Sequence, residues 1–89
     1  MSLHESHPDI IKRLKRSEGH IKSVIKVLEE NRNCLDVAQQ LHAIEKAISS
    51  AKKVLIHDHI DHCLDNALHD NTMNSNETLK EFKEISKYL

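Results

Sequence analysis

The residues of this chain best suited to chemistry are one histidine and two cysteines: His59, Cys63 and Cys34. His59 and Cys63 lie four residues apart, and in a helix two side chains at that spacing leave the same face about one turn apart and can chelate one ion. A lone His-x-x-x-Cys pair is a weak signal, because both residue types are also common in protein interiors. Two cysteines in a chain without an apolar export signal nevertheless favour a metal site or a redox pair over a structural disulfide. Together the three residues predict a transition-metal site.

The separation of Cys34 from the other two residues predicts that the site forms between chains. Cys34 precedes His59 by 25 residues, and 25 steps of 100° return to within about 20° of the same helical face. The same 25 residues rise about 37 Å along a helix, so one chain cannot close the site. Two such helices packed antiparallel bring Cys34 of one chain beside His59 and Cys63 of the other. A two-fold axis then makes two identical sites.

Two thiolates and one imidazole are compatible with several ions. They suit Cu(I) in a three-coordinate site, or Ni(II), Co(II) or Zn(II) when a fourth ligand joins. Candidates for the fourth position are His4, His7 and the amino-terminal amine, although the two histidines could equally be solvated side chains of a tail. A site without metal is a further alternative, in which Cys34 and Cys63 of neighbouring chains form a reversible disulfide or persulfide bridge and act as a thiol redox sensor.

The elements that must position these residues are helices. One glycine, one proline and 2% aromatic residues disfavour strands and predict an all-α protein. Pro8 and Asp9 mark the start of the first helix, and Asn33 is the expected N-cap of the second. The expected bounds are a flexible arm at 1–8 and helices at 9–30, 34–68 and 75–89.

The second helix is the long central element of the predicted protomer. Its apolar residues step by four and three along a heptad-like seam: Val37, Leu41, Ile44, Ile48, Ala51, Leu55. Two shorter helices of the same chain cannot cover a helix of this length, and 89 residues are few for a complete core. We therefore expect a single domain, residues 1–89, whose three-helix protomers pair as antiparallel homodimers around a four-helix-bundle-like core.

Positive charge is concentrated on one flank of the first helix, at Lys12, Arg13, Lys15 and Arg16. Residues 12–53 hold ten basic against five acidic residues, whereas residues 54–89 hold three against seven. A face of this kind is often merely solvated, but two or four copies of it in an oligomer add up to a charge that binds phosphates. No helix-turn-helix signature is present in the sequence, which therefore predicts recognition of the backbone and shape of double-stranded DNA.

Other classes of protein are less well supported by the sequence. No nucleophile, base and orienting group can be assembled by spacing, and two thiolates with an imidazole leave little room for an activated water, so we expect no enzyme. The basic first helix disfavours a metal-storage or carrier bundle without a DNA role. The longest aliphatic run, 54–56, is far too short to cross a bilayer. We expect a cytoplasmic protein with no membrane partner and no organic cofactor.

The residue pattern resembles the CsoR/RcnR family of bacterial metal-responsive repressors over nearly the whole chain. The matching motifs are Arg13-x-x-Arg16-x-x-Gly19, Cys34 at the start of helix two, Ala38-Gln39-Gln40-Leu41 and His59-x-x-x-Cys63. The resemblance places the metal ligands at Cys34, His59 and Cys63. It places DNA contacts at Arg13 and Arg16. It also implies an antiparallel dimer that pairs again into a homotetramer and represses an efflux operon until metal releases it from operator DNA.

Within this family, the chain looks closest to the nickel- and cobalt-responsive branch. His4 and His7 and the stretches 41–46 and 58–63 are similar to those of nickel sensors, which use the same three ligands with an amino-terminal histidine as the fourth. Copper sensors also carry the three ligands, but the tyrosine that precedes the cysteine in some of them is Asn33 here. The resemblance therefore implies release from DNA by Ni(II) or Co(II), with Cu(I) as the alternative.

Overall fold

The structure, a computed structural model, describes residues 5–30, 33–69 and 75–89, and for 63–69 and 75–76 it describes the backbone only. Within these residues the chain forms three α-helices and no strand. The prediction of an all-α protein with one long central helix is confirmed. None of the helices in this part of the chain is both long enough and apolar enough to span a membrane.

The first helix, α1, spans His7–Glu29 and begins two residues before the predicted start. Pro8 lies in its first turn, where an amide N–H would have no partner within the helix and where the fixed φ of proline suits helical backbone. Asp9 lies in the same turn, and its Oδ2 accepts a hydrogen bond from Nε of Arg13 at 2.8 Å. His7 and Pro8 therefore belong to the helix, and the predicted arm at 1–8 extended two residues too far.

The second helix, α2, spans Cys34–His69 without interruption, one residue longer than predicted. Asn33 caps it. The Oδ1 of Asn33 accepts a hydrogen bond from the Leu35 amide at 2.8 Å, and its carbonyl accepts one from the Val37 amide at 3.2 Å. The predicted cap is confirmed, and it makes Cys34 the first residue of α2.

The third helix, α3, spans Ser75–Ser86 and is three residues shorter than the predicted 75–89. After Ser86 the backbone hydrogen bonds join residues three apart, as between the Leu89 amide and the Ser86 carbonyl at 3.3 Å. The Ser86 hydroxyl also donates to the Lys83 carbonyl at 2.9 Å, and a bond of this kind competes with regular helical pairing. Apolar spacing that continues to Leu89 predicted the longer helix, but spacing alone does not show where the hydrogen-bond pattern changes.

The chain packs into two compact units, one of residues 8–51 and one that combines residues up to 7 with those from 52 onward. In the first unit, α1 and the first part of α2 share a small apolar core: Val24, Val27, Val37, Ile44. In the second unit, Ile56 is a deeply buried apolar residue. A single domain of residues 1–89 stays a prediction.

The predicted heptad-like seam of α2 divides into two lines of residues with opposite exposure. One line is buried within the chain, at 6%, 6% and 3% exposed: Val37, Ile44, Ala51. The other line, called the exposed stripe below, is 49%, 42% and 38% exposed: Leu41, Ile48, Leu55. Residues within each line are seven apart, so each line follows one side of the helix. Large apolar side chains exposed at this spacing indicate a surface suited to a partner helix.

Candidate metal centre and nucleic-acid interface

Cys34 is presented at the amino-terminal end of α2. Asn33 caps this end of the helix, so the backbone that carries the cysteine is held in a regular first turn. The Cys34 thiol is free and exposed. A second chain can therefore reach the thiol without rearrangement of α2.

His59 lies on α2 and approaches Glu81 of α3. The His59 Nε2 atom is 2.8 Å from Oε1 of Glu81, and the two side chains are 25% and 56% exposed. The same Nε2 is buried and makes no hydrogen bond of adequate geometry, so the short distance describes a close contact between a ring nitrogen and a carboxylate, not an aligned bond. The structure thus places a carboxylate directly beside Nε2 of one predicted metal ligand.

Asp58, the neighbour of His59 in α2, contacts the amino-terminal segment of the chain. The Ser6 hydroxyl donates to Asp58 Oδ2 at 2.5 Å. On the other side, Nε2 of His62 lies 3.7 Å from Asp58 Oδ1. Because Ser6 directly precedes His7, the Ser6 hydrogen bond brings the segment that contains His7 to the turn of α2 that carries His59.

Within the described residues, no three histidine, cysteine or acidic side chains converge on a point that could hold a metal ion. Cys34 and His59 both lie on α2, at its first and twenty-sixth residues. Cys63 continues the same helix, but its side chain lies outside the described residues, as does the whole of His4. His7 is half-buried at the start of α1. The metal site assembled from two chains therefore stays a prediction.

The four basic residues predicted to contact DNA are all exposed on α1: Lys12, Arg13, Lys15, Arg16. Arg13 forms an ion pair with Asp9 one turn earlier, and the two side chains are 42% and 58% exposed. An exposed pair of this kind stabilises a helix by at most about 1 kcal/mol. Its main effect is to orient the Arg13 guanidinium, whose other N–H donors are not used by the pair.

A cleft opens beside these basic residues, between α1 and the first part of α2. It has a volume of about 180 Å³ and six lining residues: Arg13, Arg16, Ser17, His20, Ala47, Ser50. His20 Nε2 lies 3.3 Å from Oε1 of Gln40, and Nε2 of Gln40 donates to Asp36 Oδ2 at 3.0 Å. Sequence spacing did not single out the cleft, because its residues come from two helices and only the packing of α1 on α2 brings them together.

Residues 6–88 match the sequence profile of a family described as metal-sensitive transcriptional repressors. The chain belongs to this family. The membership confirms the resemblance to the CsoR/RcnR family that the sequence motifs indicated. The family consists of transcriptional regulators, so the prediction that the chain is not an enzyme is also confirmed.

Individual members similar to this chain include sensors of two metals. The copper-sensing transcriptional repressor CsoR of Mycobacterium ulcerans is 35% identical over 60 residues, which are 67% of this chain and 51% of that protein. CsoR of Bacillus subtilis is 32% identical over 80 residues, 88% of this chain and 79% of that protein. The solved structure of the nickel-responsive transcriptional regulator InrS has a TM-score of 0.83 and 31% identity, and the match covers 97% of this chain and 96% of that one.

These matches bear on the fold and on the extent of the chain. The likeness to InrS supports the all-α fold over nearly the whole chain. The chain spans about half the length of the mycobacterial relatives it matches. What those relatives sense and bind is a property of those proteins, and for this chain it is a proposal.

Proposed function

We propose that this protein is a repressor that holds double-stranded operator DNA through α1 and releases it when paired chains bind Ni(II) or Co(II) at Cys34, His59 and Cys63. The observation that supports the proposal most directly is the exposed stripe of α2. At 100° per residue, its three members lie within about 60° of Cys34 around the helix. An apolar surface that needs a partner thus lies on the same side of α2 as a free thiol.

Antiparallel pairing of two α2 helices through the exposed stripe brings the proposed ligands together. When Ile48 lies opposite Ile48 of the partner, Leu41 lies opposite Leu55 of the partner, because each is seven residues from the two-fold axis. Seven residues further along, Cys34 falls opposite the partner's turn at 59–63. The register that covers the stripe is therefore the register that completes the metal site.

Further apolar surface on α1 supports an assembly larger than two crossed α2 helices. Its large exposed apolar residues are Ile11, Leu14, Ile21, Ile25 and Leu28. A four-helix-bundle-like core made by two protomers would cover such surface and supply the burial that one short chain lacks. By resemblance to the family, we propose that two of these dimers form the homotetramer.

The side chains available at the proposed site fit a transition-metal ion. Cys34 is an exposed thiol, and the Glu81 carboxylate lies beside Nε2 of His59, which leaves Nδ1 as the ring nitrogen for an ion. Thiolate and imidazole are ligands that Cu(I), Ni(II) and Co(II) all accept, and a neighbouring carboxylate can orient the imidazole. When bound, the ion supplies free energy that holds the ligand positions of two chains together.

We favour Ni(II) or Co(II) because the amino-terminal segment can supply a fourth ligand, His7 or His4. The hydrogen bond between Ser6 and Asp58 brings His7, the next residue, to the turn that carries His59. A fourth nitrogen ligand suits these ions better than it suits three-coordinate Cu(I). InrS, which is similar over nearly the whole chain, is nickel-responsive. Cu(I) is the second candidate, because CsoR of both organisms is a copper sensor.

DNA binding is proposed for the basic face of α1. Its four basic side chains are exposed, and each protomer of an oligomer adds a copy of the same face. Drawing Cys34 of one protomer toward His59 and Cys63 of the other changes how the protomers pack and so changes the spacing of these faces. Metal and DNA are then coupled ligands of opposite preference.

Substitution of Cys34 tests this function. Double-stranded DNA is first selected from a random pool by the metal-free wild-type protein, and its binding is then followed by fluorescence anisotropy while Ni(II) is added. We expect Cys34→Ser to bind DNA like the wild type without metal and to remain bound when Ni(II) releases the wild type. His42→Ala, which changes an exposed histidine of the same helix, is the matched control. Release of Cys34→Ser at the wild-type nickel concentration would contradict the proposal.

A second variant separates metal sensing from thiol chemistry. A redox sensor that uses Cys34 and Cys63 does not need an imidazole. His59→Ala should therefore lose its response to Ni(II) under the proposed function. If the variant is instead released by a mild oxidant, with a Cys34–Cys63 crosslink visible on a non-reducing gel, the redox sensor is favoured.

A further inference from the structure

We propose that the cleft between α1 and α2 is a binding site for one phosphate group, held by four side chains: Arg13, Arg16, Ser17, Ser50. The basic face of α1 favours a phosphate group of the DNA backbone as the ligand, and to that extent the inference rests on the proposed function. Proteins hold phosphate oxygens with guanidinium groups, hydroxyls and other neutral donors, and all of these are present in the lining.

The size of the cleft suits an anion with some of its water. Its volume of about 180 Å³ is more than ten times the roughly 10–15 Å³ that one ordered water needs. The α2 side of the lining is made by Ala47 and Ser50, two small residues three apart. Larger side chains at these positions would fill the space. Ser17 is only 6% exposed, so the lining includes a buried hydroxyl-bearing side chain that an oxygen of the anion can engage.

The charge of the lining also favours an anion. Two of the six lining residues are arginines, and none of the six is acidic. Arg13 uses Nε to bind Asp9 at 2.8 Å, but a guanidinium has five N–H donors and the pair uses one of them. The planar fork of an arginine matches two oxygens of a phosphate group.

His20 is held in place by a chain of hydrogen bonds. Nε2 of Gln40 donates to the Asp36 carboxylate, which can only accept, and this defines which end of the Gln40 amide faces His20. Oε1 of Gln40 therefore faces His20 and is the acceptor, 3.3 Å from Nε2 of the His20 ring. The ring hydrogen of His20 is then on its Nε2 atom. The ring is oriented before any ligand binds, so binding does not need to order it.

Filling the cleft without changing any charge tests the proposal. Ala47→Leu adds an apolar side chain to the lining, and Ser17→Ala removes the buried hydroxyl. Ser23→Ala, at an exposed position of α1, is the matched control. For each metal-free protein, the logarithm of the DNA association constant is measured against the logarithm of salt concentration. Circular dichroism compares the helix content of the variants, and Ser17→Ala decides the test if Ala47→Leu does not fold.

The salt dependence separates a specific phosphate contact from general attraction. Each lost phosphate contact lowers the magnitude of the slope by about 0.9. We expect Ala47→Leu to lower it by about that amount and to weaken DNA binding about tenfold or more. Ser17→Ala should weaken binding several-fold, and Ser23→Ala should change neither quantity. Unchanged slopes and affinities in both cleft variants would overturn a backbone phosphate as the ligand.

Inorganic phosphate distinguishes a backbone phosphate from a free one. It is titrated at constant ionic strength while the ring signals of His20 are followed by nuclear magnetic resonance. A saturable shift in the wild type that is absent in Ala47→Leu supports the site. If the His20 signals shift but the cleft variants keep the wild-type salt dependence of DNA binding, the ligand is a free phosphate. If the signals do not shift and the salt dependence is also unchanged, the site is overturned. A wild type that binds no DNA at any salt concentration would refute the proposed function alone, because the phosphate titration would still decide the cleft.

Discussion

Glu81 Oε1 lies 2.8 Å from His59 Nε2, so α3 brings a carboxylate to a ring that α2 presents as a metal ligand. The two residues are 22 positions apart in the chain. A carboxylate at one ring nitrogen of a ligating histidine holds the ring in one orientation and increases the basicity of the other nitrogen, which for His59 leaves Nδ1 to bind the ion. This relationship assigns α3 a direct part in the proposed metal site.

Replacing Glu81 with glutamine should weaken metal binding without affecting DNA binding. The amide keeps the size of the side chain but removes its charge. Loss of such a supporting group lowers metal affinity by about 10- to 100-fold. Competition with a chelator of known affinity measures the change. Glu84→Gln, which alters an exposed residue paired with Lys87 at 3.3 Å, is the control, and equal affinities of the two variants would show that Glu81 does not support the site.

Two substitutions on neighbouring turns of α2 should separate protomer stability from assembly. Ile44 is 6% exposed within one chain, whereas Leu41 is 49% exposed. Ile44→Ala removes core packing and should lower the free energy of unfolding by about 2–5 kcal/mol at every protein concentration. Leu41→Ala should act mainly by weakening the dimer, so its loss of stability should grow on dilution. Urea denaturation at two protein concentrations distinguishes these results, and a Leu41→Ala variant without concentration dependence would argue against the exposed stripe as the interface.

Ile48 should be the position most sensitive to charge if the two-fold axis passes beside it. Ile48→Glu then places two carboxylates opposite each other in an apolar interface, at a cost of several kcal/mol per buried charge. Since each 1.4 kcal/mol is tenfold in affinity, the dimer dissociation constant should rise by about a hundredfold or more. Sedimentation velocity measures it.

The same variant tests whether the metal site lies between chains. Ile48→Glu leaves Cys34, His59 and Cys63 in place, yet it should lose metal affinity together with the dimer. Lys46→Glu, two residues away and therefore about 160° around the helix, is the control for added negative charge. A monomeric Ile48→Glu protein that binds metal as tightly as the wild type would place the site within one chain.

The starts of the helices could be predicted from the sequence because single residues mark them. Pro8 and Asn33 each have one favourable place at a helix start, and the observed starts of α1 and α2 lie within two residues of those predicted. No such residue marks the end of α3. Its apolar spacing continues past Ser86, where the hydrogen bonding changes, and the predicted end was wrong.

Pairs of residues from different elements could not be predicted in the same way. Periodicity identified Ile44 and Ile48 as one seam, but only the packing of α1 shows that Ile44 is buried and Ile48 is exposed. Glu81 carries no local signal, since its role depends on where α3 returns along α2. The choice of ion was also open, because thiolate and imidazole accept several metals and a further ligand decides between them.

His7 should distinguish the two candidate ions. The Ser6–Asp58 hydrogen bond brings the His7 segment to the turn that carries His59, so His7 can complete a four-coordinate nickel site but is not needed for three-coordinate Cu(I). His7→Ala should weaken Ni(II) binding and alter the thiolate-to-nickel charge-transfer absorption, with Cu(I) affinity unchanged. His57→Ala, an exposed histidine of α2, should leave both ions unaffected. If His7→Ala keeps the wild-type nickel spectrum and His4→Ala loses it, His4 is the fourth ligand. If both variants keep it, neither histidine binds the ion, and the amino-terminal amine is the remaining candidate.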